Sequence, residues 1–248
     1  MSNSTFWPNT SRERSPFGVR MTARSLATEH PRPRVVGVIA SFADLDHAIG
    51  MRQLPDLFEL RLDCLLDLVD QLENKLSKIR RPIIITARHS HEGGANKLSL
   101  RKRLHLLSRF LHRADYVDVE LRSASALRPL LVLAGKKRVR RIISFHDFKS
   151  TPHLRILVRK MRSAKSYGAD IFKVATRTDT PAQLARLLNF MTTKHVDVAV
   201  SAMGIGRLGA ASRILLACCG SALNYVSLSS SQIEGQLSID VLRSALRR

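Results

Sequence analysis

From Val35 onward the chain alternates between two patterns. Short runs of apolar, largely β-branched residues occupy 35–40, 57–62, 82–87, 115–121, 139–145, 170–175, 196–203 and 223–228. Between them lie stretches in which apolar positions recur every three or four residues: 44–54, 65–79, 98–113, 127–133, 152–167, 180–194 and 208–219, with 239–246 after the last run. The short runs read as buried strands and the longer stretches as amphipathic helices. Strand and helix in regular alternation predict a parallel sheet with right-handed crossovers. Eight such units in about 215 residues match the size of a single-domain (β/α)8 TIM barrel, an α/β fold. A doubly wound open sheet is the competing arrangement, because periodicity does not report closure.

Residues 1–33 lack this rhythm. They are rich in Ser, Thr, Arg and Pro. They are expected to form a basic, disordered N-terminal extension, or an over-extended start with Met21 as a second initiator, ahead of a catalytic barrel at 34–248. No apolar segment in them resembles a secretory signal.

Strands of a parallel sheet are covered on both faces and should be apolar throughout. Several here break that rule with a period of two. In Phe58-Glu59-Leu60-Arg61-Leu62-Asp63 the charges share one face. Arg88 follows Ile84 and Thr86; Asp118 and Glu120 share a face; His146 lies on the Ser144 side; Lys173 sits among Ile171, Phe172, Val174 and Ala175. Each alone has a dull explanation, such as a strand end facing water or a structural ion pair. Together they fall near the C-terminal ends of strands two to six, where barrel active sites are built. Burying so many polar groups is costly unless they are paired or used. One shared polar site is the coherent account.

That site has a chemistry. A lysine on an apolar strand and close to other cations has its ammonium form disfavoured, and the free amine of Lys173 can form an imine with a carbonyl. A protonated imine acidifies the neighbouring C–H, and His146 can act as general base and acid. Glu92, in Arg88-His89-Ser90-His91-Glu92-Gly93-Gly94, can orient that histidine. Arg213 can hold an anionic substrate. No metal cluster is evident, and neither metal nor cofactor is expected. Gly204-Ile205-Gly206-Arg207-Leu208-Gly209 has the spacing of a dinucleotide fingerprint but follows the seventh strand rather than the first, with no acid about 20 residues on. A tight strand-to-helix turn, with anion binding at the helix N-terminus left open, is the better reading.

Composition narrows the class further. An apolar content of 44% excludes disorder over most of the 248 residues. No apolar run approaches the ~20 residues of a membrane span. With 41 Lys+Arg against 20 Asp+Glu the net charge is +21, which raises nucleic-acid binding. Against that, 5% aromatic residues leave little stacking surface and no nucleic-acid-binding motif stands out. The charge, including Arg101-Lys102-Arg103, reads as a solvated surface that draws in a small anion. Cys64, Cys218 and Cys219 form no CxxC pair and read as small buried residues in a reducing, cytoplasmic compartment.

With these residues in place, 35–246 resembles the type I 3-dehydroquinate dehydratases of the shikimate pathway. The ordered motifs are Glu59-Leu60-Arg61-Leu62-Asp63, Thr86-Ala87-Arg88 with Glu92-Gly93-Gly94, Val117-Asp118-Val119-Glu120-Leu121, Ser144-Phe145-His146-Asp147-Phe148, Gly168-Ala169-Asp170-Ile171-Phe172-Lys173-Val174-Ala175, Gly209-Ala210-Ala211-Ser212-Arg213 and Gly235-Gln236. The resemblance implies a cofactor-free barrel, usually a homodimer, that removes water from 3-dehydroquinate to give 3-dehydroshikimate. It implies an imine on Lys173, proton transfer by His146, pairing of Glu92 with His146, and a carboxylate clamp at Arg213. It implies contacts from Glu59, Arg61, Arg88 and Gln236 to the substrate hydroxyls, with Gln232 also in the substrate site. Two positions depart from the family's lid, Ser-Ala-Pro-Gly-Gln: Gln232 replaces its serine and Glu234 its proline. Glu234 is expected to bring negative charge near an anionic substrate. A class I aldolase-type imine enzyme on another keto substrate and a non-catalytic barrel with an altered lid remain as alternatives.

Overall fold

The structure, a computed structural model, describes residues 33–193, 198–229 and 233–246. The extension expected over 1–33 therefore lies, but for Pro33, outside the described residues, as does Gln232. Among the described residues, eight strands run β1 (Arg34–Ile39), β2 (Leu57–Arg61), β3 (Ile83–Thr86), β4 (Tyr116–Glu120), β5 (Arg140–Asp147), β6 (Ile171–Arg177), β7 (Ala199–Ile205) and β8 (Leu223–Ser227). They alternate with helices α1 (Phe42–Gly50), α2 (Val69–Leu76), α3 (Leu100–Phe110), α4 (Arg128–Lys136), α5 (Leu154–Ser166), α6 (Pro181–Thr192), α7 (Gly209–Cys218) and α8 (Ile239–Leu246).

The strands are parallel, in the order β7-β6-β5-β4-β3-β2-β1-β8. The sheet closes between β7 and β8 by isolated bonds rather than a ladder. Ala222 N–H donates to the Val200 carbonyl at 2.8 Å, and the Ser201 hydroxyl donates to the Leu223 carbonyl at 2.6 Å. The fold is the expected TIM barrel. Strands β5 to β7 outrun their apolar patterns: His146 still pairs with Ala175, and Arg177 with Ile205. Ladder bonds belong to the backbone, so pairing continues where the side chains turn polar.

Facing positions inside the barrel form layers. Leu57, Ile84, Tyr116, Ile142 and Ile171 join Val36 and Leu223 in one apolar cluster near the strand N-termini. Two residues further along five of these strands stand Glu59, Thr86, Asp118, Ser144 and Lys173, all buried. The period of two in the sequence is this change from apolar floor to polar chamber on one face of the strands. The other face packs on the helices through the main core, which includes Phe58, Leu60, Val117, Ile143, Phe172 and Phe190.

Two expectations fail here. Arg103 is 1% exposed, not solvated, because it shares a helix face with Leu106, Leu107 and Phe110. None of the cysteines is fully buried; Cys218 is exposed at the end of α7, and Cys64 and Cys219 are half-buried in loop and cap positions.

Candidate active site

Lys173 stands at mid-strand on β6, with Ser144 of β5 and Ser201 of β7 as its neighbours across the ladder. Its Nζ lies 3.2 Å from Glu59 Oε1 and 3.0 Å from Asp118 Oδ2. It also sits 3.7 Å above the centroid of the Tyr225 ring. The sequence suggested a lysine crowded by cations. The atoms against it are instead carboxylate oxygens and an aromatic face. The nearby cation, Arg88, grips the same acids: NH1 meets Asp118 Oδ1 at 3.0 Å, NH2 meets Oδ2 at 2.8 Å, and NH2 lies 3.6 Å from Glu59 Oε1.

Ser144 ties this cluster together, donating to Asp118 Oδ1 at 2.6 Å and accepting from Arg88 NH1 at 2.6 Å. Burial alone would raise the Asp118 carboxyl, but Arg88 and Lys173 outweigh it and hold Asp118 well below the usual range. Behind Arg88, Glu120 accepts from Arg103 of α3 and from the His89 N–H at 2.8 Å. The buried helix arginine thus neutralises the acid that backs the polar cluster.

His146 lies one step up β5 on the same face as Ser144. A single oxygen of Glu92, Oε2, accepts its main-chain N–H at 3.0 Å and faces its ring Nδ1 at 2.9 Å. Burial, reinforced by the charges of Arg88 and Lys173, holds the His146 imidazole well below its ordinary value. Burial, with the charge of Glu120 adding to it, pushes Glu92 up to about 7. Phe148 stacks beside His146 with ring centroids 6.4 Å apart. Gly93, at φ +84°, passes beneath it, where a Cβ would come within 3.0 Å of the Phe148 ring. A glycine is required on both counts.

Arg61 is fixed by Asp63 in a bidentate pair at 3.0 and 2.7 Å. Asp63 also accepts the N–H groups of Arg88 and Ala95. Arg213 of α7, 5% exposed, has a different setting. Its NH1 donates to the Tyr225 carbonyl at 3.0 Å, and its buried Nε has no partner. Burial without a counter-charge lowers its guanidinium to about 10. A buried cation with a free donor is a seat for an anion.

Glu59, Arg61, Arg88, Glu92, His146, Lys173, Arg213 and Gln236 all line one cavity of about 400 Å³. Gln232 lies outside the described residues. Glu234 does not line the cavity, against expectation. Its carboxylate turns away to Arg177 NH1 at 3.0 Å, and Arg177 is also bound by Asp179 at 2.6 Å. The Gly-rich segment is a tight turn whose N–H groups are all engaged. Gly206 donates to Glu234 O, Leu208 to Thr178 O and Gly209 to Gly206 O, while Arg207 donates to Asp179. The polarity of β4 pointed to Asp118 as a polar inward residue, but not as a partner of the lysine. Tyr225 gave no signal, because a tyrosine in an apolar run reads as core. Among the described residues no group of three or more His, Cys, Asp or Glu is arranged to hold a metal ion.

Comparison with known proteins bears on this geometry. A family model described as type I 3-dehydroquinase matches residues 35–248. The 3-dehydroquinate dehydratase of Methanothermobacter thermautotrophicus is 34% identical over 192 residues, covering 77% of this chain and 84% of that protein. That of Pyrococcus abyssi is 35% identical over 193 residues, covering 77% and 86%. Among solved structures, the 3-dehydroquinate dehydratase from Geobacillus kaustophilus superposes with a TM-score of 0.79 at 26% identity, covering 86% of this chain and 90% of that one. A type I enzyme from Clostridium difficile, with covalently modified comenic acid, gives 0.78 at 26% identity over 87% and 91%.

Proposed function

Because the chain belongs to the type I 3-dehydroquinase family, we propose that it removes water from 3-dehydroquinate through an imine on Lys173. The observation that carries this reading is that Lys173, His146 and Arg213, whose buried Nε has no partner, all line one cavity.

The substrate carboxylate docks on Arg213, which supplies a buried charge and a free donor. Glu59, Arg61, Arg88 and Gln236 hold the hydroxyls, with Gln232 assigned to the same site. Lys173 Nζ gives up a proton to the neutral His146 and attacks the ketone carbon, and His146 returns that proton to the oxygen that leaves. The carbinolamine loses its oxygen as water to give the protonated imine. With Glu92 ionised, the His146 proton sits on Nδ1 and leaves Nε2 as the base. His146 takes a proton from the carbon next to the imine, and the C–H electron pair moves into the C–N system as an enamine. The electrons return to expel the β-hydroxyl, which leaves as water with the proton from His146. A second water hydrolyses the imine and releases the conjugated enone.

The aldolase alternative needs a phosphate cradle after β7. The N–H groups of that turn are all engaged, and Glu234 O caps Gly206. The dehydratase reading also includes a homodimer working in the cytoplasm within the shikimate pathway. Among the described residues no helix is long and apolar enough to cross a membrane.

Borohydride added with 3-dehydroquinate should leave a reduced adduct on the peptide carrying Lys173, read by mass spectrometry. Folded protein that turns over substrate yet gives no adduct rules the imine out.

A further inference from the structure

At the opposite end of the barrel from the cavity, two arginines converge on one phenol. Arg34 opens β1 and Arg140 opens β5, four places apart in the strand order and so on opposite walls. Arg34 NH1 donates to Tyr116 Oη at 2.8 Å, and Arg140 NH1 donates to the same oxygen at 3.2 Å. The two guanidinium carbons lie 5.7 and 5.8 Å from the centroid of the Tyr116 ring. Tyr116 itself is 4% exposed and anchored in the apolar floor. Long cationic side chains normally spread into water. Here Arg34, half-buried, and Arg140, still exposed, reach from opposing walls to one buried phenol.

Among the described residues neither arginine has an ion-pair partner. The surrounding depression, about 520 Å³, is also lined by Lys137, Arg138 and Asp115. Asp115, the carboxylate of this lining, is engaged by the Ile83 N–H at 2.8 Å but keeps its charge, so four cations share the depression with one acid. A second depression of about 490 Å³ shares Arg34 and Arg140, and its Asp170 is bound to Arg141. Among the described residues no carboxylate lies within ion-pair distance of Arg34, Arg140, Arg138 or Lys137. Arg138 holds φ +59° at the end of α4, a position where glycine is the usual residue.

We propose that this face is a second anion site, taking a ligand with a phosphate group clasped by the forks of Arg34 and Arg140 over Tyr116. Two planar guanidiniums offer paired donors that match phosphate oxygens. Four cations suit a multiply charged group better than the single carboxylate that Arg213 accommodates. The space admits either a free polyphosphate or the phosphates of a nucleotide. The proposal is independent of the dehydratase reading.

The test is calorimetric titration of the full chain with pyrophosphate and with ATP at physiological salt. Binding of both with equal affinity identifies phosphate as the recognised group; tighter ATP binding identifies a nucleotide. In either case Arg34→Gln with Arg140→Gln should weaken binding by roughly tenfold or more. Lys102→Gln, an exposed charge on α3, should change it little, and dehydroquinate turnover should stay at the wild-type level throughout. Arg140→Lys keeps the charge but loses the fork, and should also weaken binding. Absence of binding by both ligands overturns the site. So does equal weakening by Lys102→Gln, or wild-type affinity in Arg140→Lys, since each would leave only the general field of a basic protein.

Discussion

One carboxylate oxygen of Glu92 holds His146 at two points, its main-chain N–H at 3.0 Å and its ring Nδ1 at 2.9 Å. The ring is thereby oriented and its tautomer set while Glu92 is ionised. Glu92 is raised to about 7, and His146 is held well below its usual value by burial and the charges of Arg88 and Lys173. As pH falls through about 7, Glu92 gains a proton first and its hold on the base is lost. The acid limb of kcat/KM should therefore report an apparent pKa near 7 that belongs to the pair. In Glu92→Gln that ionisation is gone, and His146 loses a nearby negative charge. The limb should move to lower pH while kcat falls on the order of 10²-fold. A limb that stays near 7 in the variant would assign it to another group.

Arg213 predicts a split between stability and affinity. It is a buried cation with no carboxylate partner among the described residues, lowered to about 10. Replacing it with Met removes an uncompensated charge and should leave Tm unchanged or raise it. The same change should raise KM for dehydroquinate roughly 10- to 100-fold, the worth of a charge-assisted contact to the substrate carboxylate. Calorimetric melting beside steady-state kinetics checks both halves. A large drop in Tm with KM unchanged would make Arg213 structural.

The barrel was legible because alternation of strand and helix is written in residue spacing, and the site was legible because charges on buried strands need a reason. Glu59, Arg88, Asp118, His146 and Lys173 announce themselves by breaking the apolar pattern of parallel strands. Two kinds of residue stayed hidden. Tyr225 looks like core and becomes part of the site only through the position of its ring under Lys173. Arg103 looks like one of three surface cations, since a run of adjacent charges on a helix does not say which member faces inward. What decides is its spacing from Leu106, Leu107 and Phe110. The direction of Glu234 was equally beyond the sequence, because its partner Arg177 comes from the distant end of β6.

Arg103 should therefore matter far more than its neighbours. Fully buried, it satisfies Glu120, the Ala87 carbonyl at 2.7 Å and the Ser123 hydroxyl at 2.9 Å. Arg103→Met strands the Glu120 charge with Arg88 alone and should cost about 3–5 kcal/mol. Exposed Lys102→Met should stay within about 0.5 kcal/mol. The double variant Arg103→Met with Glu120→Gln should recover part of the loss, since the stranded charge is gone. Urea unfolding of the three variants measures this. Equal effects at 102 and 103 would contradict the buried network.

The sign of one kinetic change separates two views of Glu234. If its charge faced the substrate, as its place in the lid suggested, Glu234→Gln would relieve repulsion and lower KM. The structure turns the carboxylate to Arg177 at 3.0 Å while its main-chain carbonyl accepts the Gly206 N–H at 3.0 Å. These contacts anchor the turn that carries Gln236 into the cavity. Losing the ion pair should loosen that turn and raise KM, by roughly twofold for an exposed pair. Arg177→Gln should do the same, and the two changes together should be no worse than either alone. High salt should bring wild type toward the variants, because screening weakens the pair. A lowered KM in Glu234→Gln, or additive effects of the two variants, would mean that the pair does not hold the turn.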